Sequence, residues 1–197
     1  MARQFVLLEI LDKDVRQLLS SLRAIFSGEP ARAPVHVTIR GPYPQPVRKD
    51  LMSNLEARLH NDVLLIAGAG IFRAKKSAAV YLKVSAKRLR SVWWKPDYPV
   101  KTHGFNPHIT MYEGSDLGLA EAIYEFLRKE KIELVCHEFK VAMHAAGQFP
   151  AMYNQEAESR RGLSNLTRAG AISEGVLERA RRLARTYRGE LPLVFSD

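Results

Sequence analysis

The feature that most constrains this chain is a short alternation that occurs twice. In VHVTIR, residues 35–40, Val35, Val37 and Ile39 alternate with His36, Thr38 and Arg40. In PHITMY, residues 107–112, Ile109 and Met111 alternate with His108, Thr110 and Tyr112. A period of two is the signature of a β-strand with one apolar face and one polar face. Each strand presents a histidine and a threonine side by side, and each is followed by a turn, a helical pattern and further strand. Such a coarse internal repeat predicts two related α+β lobes whose His-x-Thr strands face each other.

The remaining pattern fits that architecture. Residues 4–11, QFVLLEIL, are apolar at nearly every position and read as a central strand covered on both faces. A helix follows through Val15, Leu18, Leu19, Leu22, Ile25 and Phe26, with Asp12 or Asp14 as its cap and Gly28 and Pro30 as its stop. Leu51, Leu55 and Leu59 mark a second helix, and residues 63–73 and 78–86 read as strands. Three prolines and a glycine make most of residues 87–107 a connection. Ser115 or Asp116 caps a helix through Ala120, Ile123 and Leu127, and IELVCHEFKVAM, residues 132–143, reads as one strand. Residues 148–171 are polar and irregular. A last helix over about 173–188 sets Val176, Leu177, Ala180, Leu183, Ala184 and Tyr187 against an arginine face.

The fold class expected is therefore α+β, with two pseudo-symmetric lobes, each an antiparallel sheet with helices, around a central cleft. Residues 1–197 form a single bilobal domain, and 148–197 form a C-terminal extension to which the sequence assigns no role. With 46% hydrophobic residues the chain has ample material for a core. No run of 18 apolar residues occurs and the N-terminus has no cleavage-site pattern, so a cytoplasmic protein without a membrane segment is expected, as a monomer. A single cysteine, Cys136, excludes an internal disulfide and a cysteine-based zinc site. Thirty Lys and Arg against 21 Asp and Glu give a net charge of +9, which favours an anionic partner such as nucleic acid or a phosphorylated small molecule.

Side chains at i and i+2 of a strand lie about 6.5–7 Å apart on one face, so His36 and Thr38, or His108 and Thr110, reach the same small group. Phosphate is such a group. A neutral imidazole accepts a proton, a protonated one donates it, and a threonine hydroxyl donates to a phosphoryl oxygen. Two facing strands would set one histidine on either side of phosphorus. Arg40 and Tyr112, two residues further along, offer a cation and an aromatic ring on the same faces, and Tyr43 and Phe105 flank the two strands as further substrate contacts.

The paired segments HVTI and HITM resemble the signature of the two-histidine phosphoesterase superfamily, which includes RNA 2′,3′-cyclic phosphodiesterases and bacterial 2′-5′ RNA ligases. The resemblance covers most of residues 1–147. It implies a bilobal fold with a central cleft, acid and base catalysis by His36 and His108 without a metal or other cofactor, and phosphate contacts from Thr38 and Thr110. The substrate it implies is RNA or a nucleotide bearing a 2′,3′-cyclic phosphate or 2′-5′ linkage. Where many relatives have leucine, this chain has Ile39 and Met111, both still apolar. The rival reading is an RNA-binding or regulatory module that uses the cleft without turnover.

Other features have ordinary explanations. His103 lies in a connection from which it could reach the cleft, and His60, His137 and His144 have no motif around them. A metal site built from His36, His103 and His108 would lack an acidic partner. Trp93 and Trp94 cannot both face one surface of a strand, and GAG at 68–70 reads as a bulge or turn. The arginines of the last helix fit a solvated face.

Overall fold

A computed structural model of the chain describes residues 3–29, 33–94, 103–145 and 168–190. Within them lie two antiparallel sheets and five helices, an α+β architecture of two lobes. The first lobe is built on β1 (Gln4–Ile10), with β2 (His36–Tyr43) on one side and β7 (Phe139–Ala145) on the other. The second has the order β5 (His108–Gly114), β4 (Ala78–Ser85), β3 (Leu64–Arg73), β6 (Glu133–Cys136). As its nearly continuous apolar character predicts, β1 is central, with Val6, Leu7, Leu8 and Ile10 all buried.

The helices begin and end where their sequences dictate. In α1 (Lys13–Ser27) the Asp12 side chain accepts from the Val15 N–H, and Gly28 closes the last turn at φ 77° while donating to the Ala24 carbonyl. In α4 (Leu117–Glu130) the Asp116 carboxylate accepts from the Leu119 N–H at 2.9 Å. Phe26 of α1 meets Phe126 of α4 edge to face, with ring centroids 5.9 Å apart. One continuous apolar cluster joins Val37 and Ile39 of β2, Ile109 and Met111 of β5, and the inner faces of both helices. The short helices α2 (Lys49–Leu59) and α3 (Leu89–Val92) close its rim through Leu55, Leu59, Leu89 and Val92.

Three expectations are corrected. IELVCHEFKVAM is two strands in different sheets, because the chain crosses between lobes at His137 and Glu138. The Leu11 and Asp12 N–H groups both donate to the Glu138 carbonyl there, at 2.8 and 2.9 Å. Consequently the lobes are not the two halves of the sequence: β7 returns to the first sheet, and β3 and β4 belong to the second. The C-terminal extension also has a structural part. Its helix, α5 (Arg168–Tyr187), packs on both α1 and α4 and buries Val176, Leu177, Ala180 and Ala184. Arg179 forms a fork to Glu130 at the end of α4 (2.7 and 2.6 Å), and Arg188 donates to the Ile25 carbonyl of α1 at 2.8 Å. Tyr187, expected on the apolar face, is 45% exposed and lies at the edge of the contact, its ring beside Gly118 of α4. Residues 146–167, with most of the polar segment, lie outside the described residues.

Candidate active site

Both His-x-Thr strands are edges of their sheets, and β2 and β5 run beside each other. Their apolar faces point into one shared core, so their polar faces share the opposite side. The register reveals a second likeness between them. On β2, Thr38 pairs with Leu7 and Arg40 with the adjacent Val6; on β5, Thr110 pairs with Tyr81 and Tyr112 with the adjacent Val80. One residue, Ile39 or Met111, is skipped each time, which is a β-bulge immediately after each motif threonine.

The bulge corrects the expected placement of Arg40 and Tyr112. An extra residue on one strand reverses the faces that follow it. Tyr112 is therefore 8% exposed and part of the core, and burial pushes its hydroxyl above the usual tyrosine range. Arg40 donates through Nε to the Val92 carbonyl at 2.6 Å, holding α3 against the edge of β2, and the Trp94 N–H donates to the Ile39 carbonyl beside it.

The two imidazoles are held alike. His36 Nδ1 lies 2.7 Å from the Pro34 carbonyl, and His108 Nδ1 lies 2.8 Å from the Asn106 carbonyl, in each case two residues upstream. A carbonyl only accepts, so Nδ1 carries the hydrogen and the neutral ring has its lone pair on Nε2. Burial pulls the His36 pKa down to about 4; the positive charges of Arg23 and His144 act in the same direction, against the Pro34 hydrogen bond and the Glu9 carboxylate. Arg23 is fixed behind it by bonds to the Ala33 and Pro34 carbonyls.

Glu9 is a site residue that the sequence reading missed. It is only 4% exposed, sits directly across the strand pair from His36, and accepts from Lys140 at 2.8 Å and from His144 Nε2. Burial alone would raise its pKa, but the Lys140 and His144 donors outweigh that and hold it below the usual carboxylate range. The available signal was a single acid in an otherwise apolar central strand. His144, without a motif of its own, is thus tied to the face that carries His36.

On the other lobe, Tyr81 and Phe72 enclose His108, with ring centroids 4.8 and 5.1 Å from its own. Asn106 donates from Nδ2 to the Tyr81 hydroxyl at 2.9 Å, so one residue supports both the histidine and the tyrosine. The His103 ring meets Phe72 at a tilt of 49°, with centroids 4.3 Å apart, which brings it to the same cluster. Tyr81 lies across β3 over Gly70, where a Cβ would collide with its ring. The GAG stretch thus combines a bulge at Gly68 with a clearance at Gly70. Gly70→Ala should displace the ring, costing about 1–3 kcal/mol of stability and loosening His108. Denaturant unfolding should register that loss, whereas Tyr81→Phe should lose only the Asn106 bond, about 1 kcal/mol.

The remaining candidates lie further out. Phe105 is packed between Trp93, at 5.1 Å, and the Arg90 guanidinium, 4.3 Å above its ring. Tyr43, whose buried hydroxyl has no hydrogen-bond partner among the described residues, has its ring centroid 6.4 Å from that of the exposed Trp94 and lines a cavity of about 510 Å³ with Pro44, Arg48 and Asn54. A second cavity, about 550 Å³, lies between the end of α2 and the β6–β7 crossing. The motif histidines line neither. Among the described residues no three His, Cys, Asp or Glu side chains converge as metal ligands, and no helix is long and apolar enough to cross a membrane. Comparison with family models, with curated proteins and with solved structures finds no match for the chain.

Proposed function

We propose that this protein is a two-histidine phosphoesterase that opens 2′,3′-cyclic phosphates of RNA ends or nucleotides. The observation that carries the reading is the likeness of the two motif strands beyond their sequence. Each is a sheet edge, each fixes its histidine through Nδ1 to the carbonyl two residues upstream, and each is bulged directly after its threonine. Two matched imidazoles on one side of a common core suit in-line displacement at phosphorus.

The desolvated setting of His36 supports a division of roles. With a pKa near 4, His36 is neutral near pH 7 and serves as the base. Its Nε2 takes a proton from water as the water oxygen bonds to phosphorus. His108 delivers a proton from Nε2 to the departing ribose oxygen as the P–O bond breaks, giving a phosphomonoester and a free hydroxyl. Thr38 and Thr110 donate to the non-bridging oxygens. After turnover His36 is protonated and His108 neutral, and exchange with solvent resets both. A 2′-5′ linkage would use the same groups, with a ribose hydroxyl in place of water in the joining direction.

The test is incubation with a nucleoside 2′,3′-cyclic phosphate, following the new phosphomonoester by phosphorus NMR. Turnover that depends on both histidines is expected. Binding of cyclic-phosphate RNA with no product under any buffer condition would favour the recognition module instead.

A further inference from the structure

We propose that Lys83 is the substrate-contacting cation of this site, and that it selects nucleosides whose reacting cyclic phosphate is accompanied by a 5′-phosphoryl group. The inference rests on the phosphoesterase reading above and goes on to name the substrate. Lys83 pairs directly with His108 across β4 and β5, so both side chains stand on one face, with Cβ atoms about 5 Å apart. It is exposed, and its stem runs beside the Gly68 bulge, where its Cδ is the nearest atom, at 3.9 Å, to the place a Cβ would occupy. No carboxylate pairs with it among the described residues, whereas Arg48, Arg73, Arg128, Arg179, Arg181 and Arg185 each pair with an acid.

Among the described residues, the other cations near the site are already engaged. Arg40 holds the Val92 carbonyl, and Lys140, in the row of His36, is neutralised by Glu9. Of these described cations, Lys83 is the one that stands exposed on the strand face of a motif histidine with its head not held by a carbonyl or a carboxylate. Chemistry fixes what occupies that side. If His36 activates water, in-line geometry sets the leaving oxygen at His108, and in a cyclic phosphate that oxygen belongs to the ribose. The sugar then lies over Lys83, and the anion it carries away from the reacting phosphorus is the 5′-phosphoryl.

Three substrates test this with the full chain and with Lys83→Gln: a nucleoside 2′,3′-cyclic phosphate with a free 5′-hydroxyl, its 5′-phosphate, and a dinucleotide ending in a cyclic phosphate. The parent should favour the second or third over the first by about tenfold in kcat/KM, mostly through KM, as a charge-assisted contact at an exposed lysine implies. Lys83→Gln should bring the three to within about threefold, with the loss falling on the 5′-phosphorylated substrates, and Lys83→Arg should restore the preference. A gain confined to the second arm identifies a free nucleotide; a gain on the third identifies an RNA end. An unselective parent, or a variant impaired equally on all three, would overturn the selection by Lys83 while leaving the two-histidine mechanism standing. Failure of the parent on every arm would sink that mechanism too.

Discussion

Replacing His36 or His108 with alanine should lower kcat/KM on a cyclic nucleotide by about 10³-fold or more, toward the upper end of the effect of one proton-transfer group. Each ring handles a different proton in the same displacement, so losing either leaves the other without a completed reaction. The double variant should then be little worse than each single one, because groups acting as a unit are not additive. Misfolding does not explain such a loss. His36 is neutral near pH 7, and its replacement removes the Nδ1 bond to the Pro34 carbonyl, about 1 kcal/mol, too little to unfold the chain. Near-native circular dichroism should accompany the lost activity. Thr38→Val and Thr110→Val should cost only about tenfold each, the worth of one hydrogen bond to a charged oxygen. Near-parental turnover by either histidine variant would exclude the mechanism.

Much of this arrangement is legible in the sequence, and the failures have definite physical causes. A strand's side-chain period makes the His-x-Thr faces readable, and the capping roles of Asp12, Gly28 and Asp116 follow from local chemistry. What period alone could not show is where a strand stops obeying it. After Thr38 and Thr110 one extra residue reverses the alternation, and Arg40 and Tyr112 leave the face on which they were expected. On β5 a hint was present, since Met111 and Tyr112 are apolar in succession; on β2 nothing distinguishes Arg40 from a residue that continues the strand. The break between β6 and β7 had a clearer mark. Ile132, Leu134 and Cys136 fall on even positions, Phe139, Val141 and Met143 on odd ones, and the phase slips at the crossing.

Long-range partners were the other blind spot. Glu9 meets Lys140 and His144 only because β7 returns beside β1, a pairing of more than 130 positions that no local pattern encodes. The same return explains why the extension matters to the fold. Strand exchange knits the lobes on the sheet side, while α5, laid across α1 and α4, ties them on the helix side. The relative position of the two histidines is thus braced at both layers, as the proposed displacement at one phosphorus would require.

The pH dependence should separate the two imidazoles. The sequence alone suggests limbs near the histidine reference of about 6.5, but the buried surroundings of His36 move its value to about 4. Because the base must be neutral, the acid limb of kcat/KM, which reports the free enzyme, should fall near pH 4. At pH 5 an unshifted base would be only about 3% neutral, whereas His36 would be about nine-tenths neutral, roughly a thirtyfold difference. Stability should carry the matching signature. The folded-state value lies below the unfolded one, so the unfolded chain binds the extra proton, and stability is lost as pH falls from about 6.5 toward 4, by at most about 3 kcal/mol. His36→Gln should flatten that slope in acid denaturation. Chelators should leave the activity profile in place, because the imidazoles move the protons and the threonines receive the phosphoryl charge. An acid limb near 6.5 would reverse the assignment of His36, and activity abolished by chelation and restored by zinc or manganese would turn both histidines from acid and base into ligands.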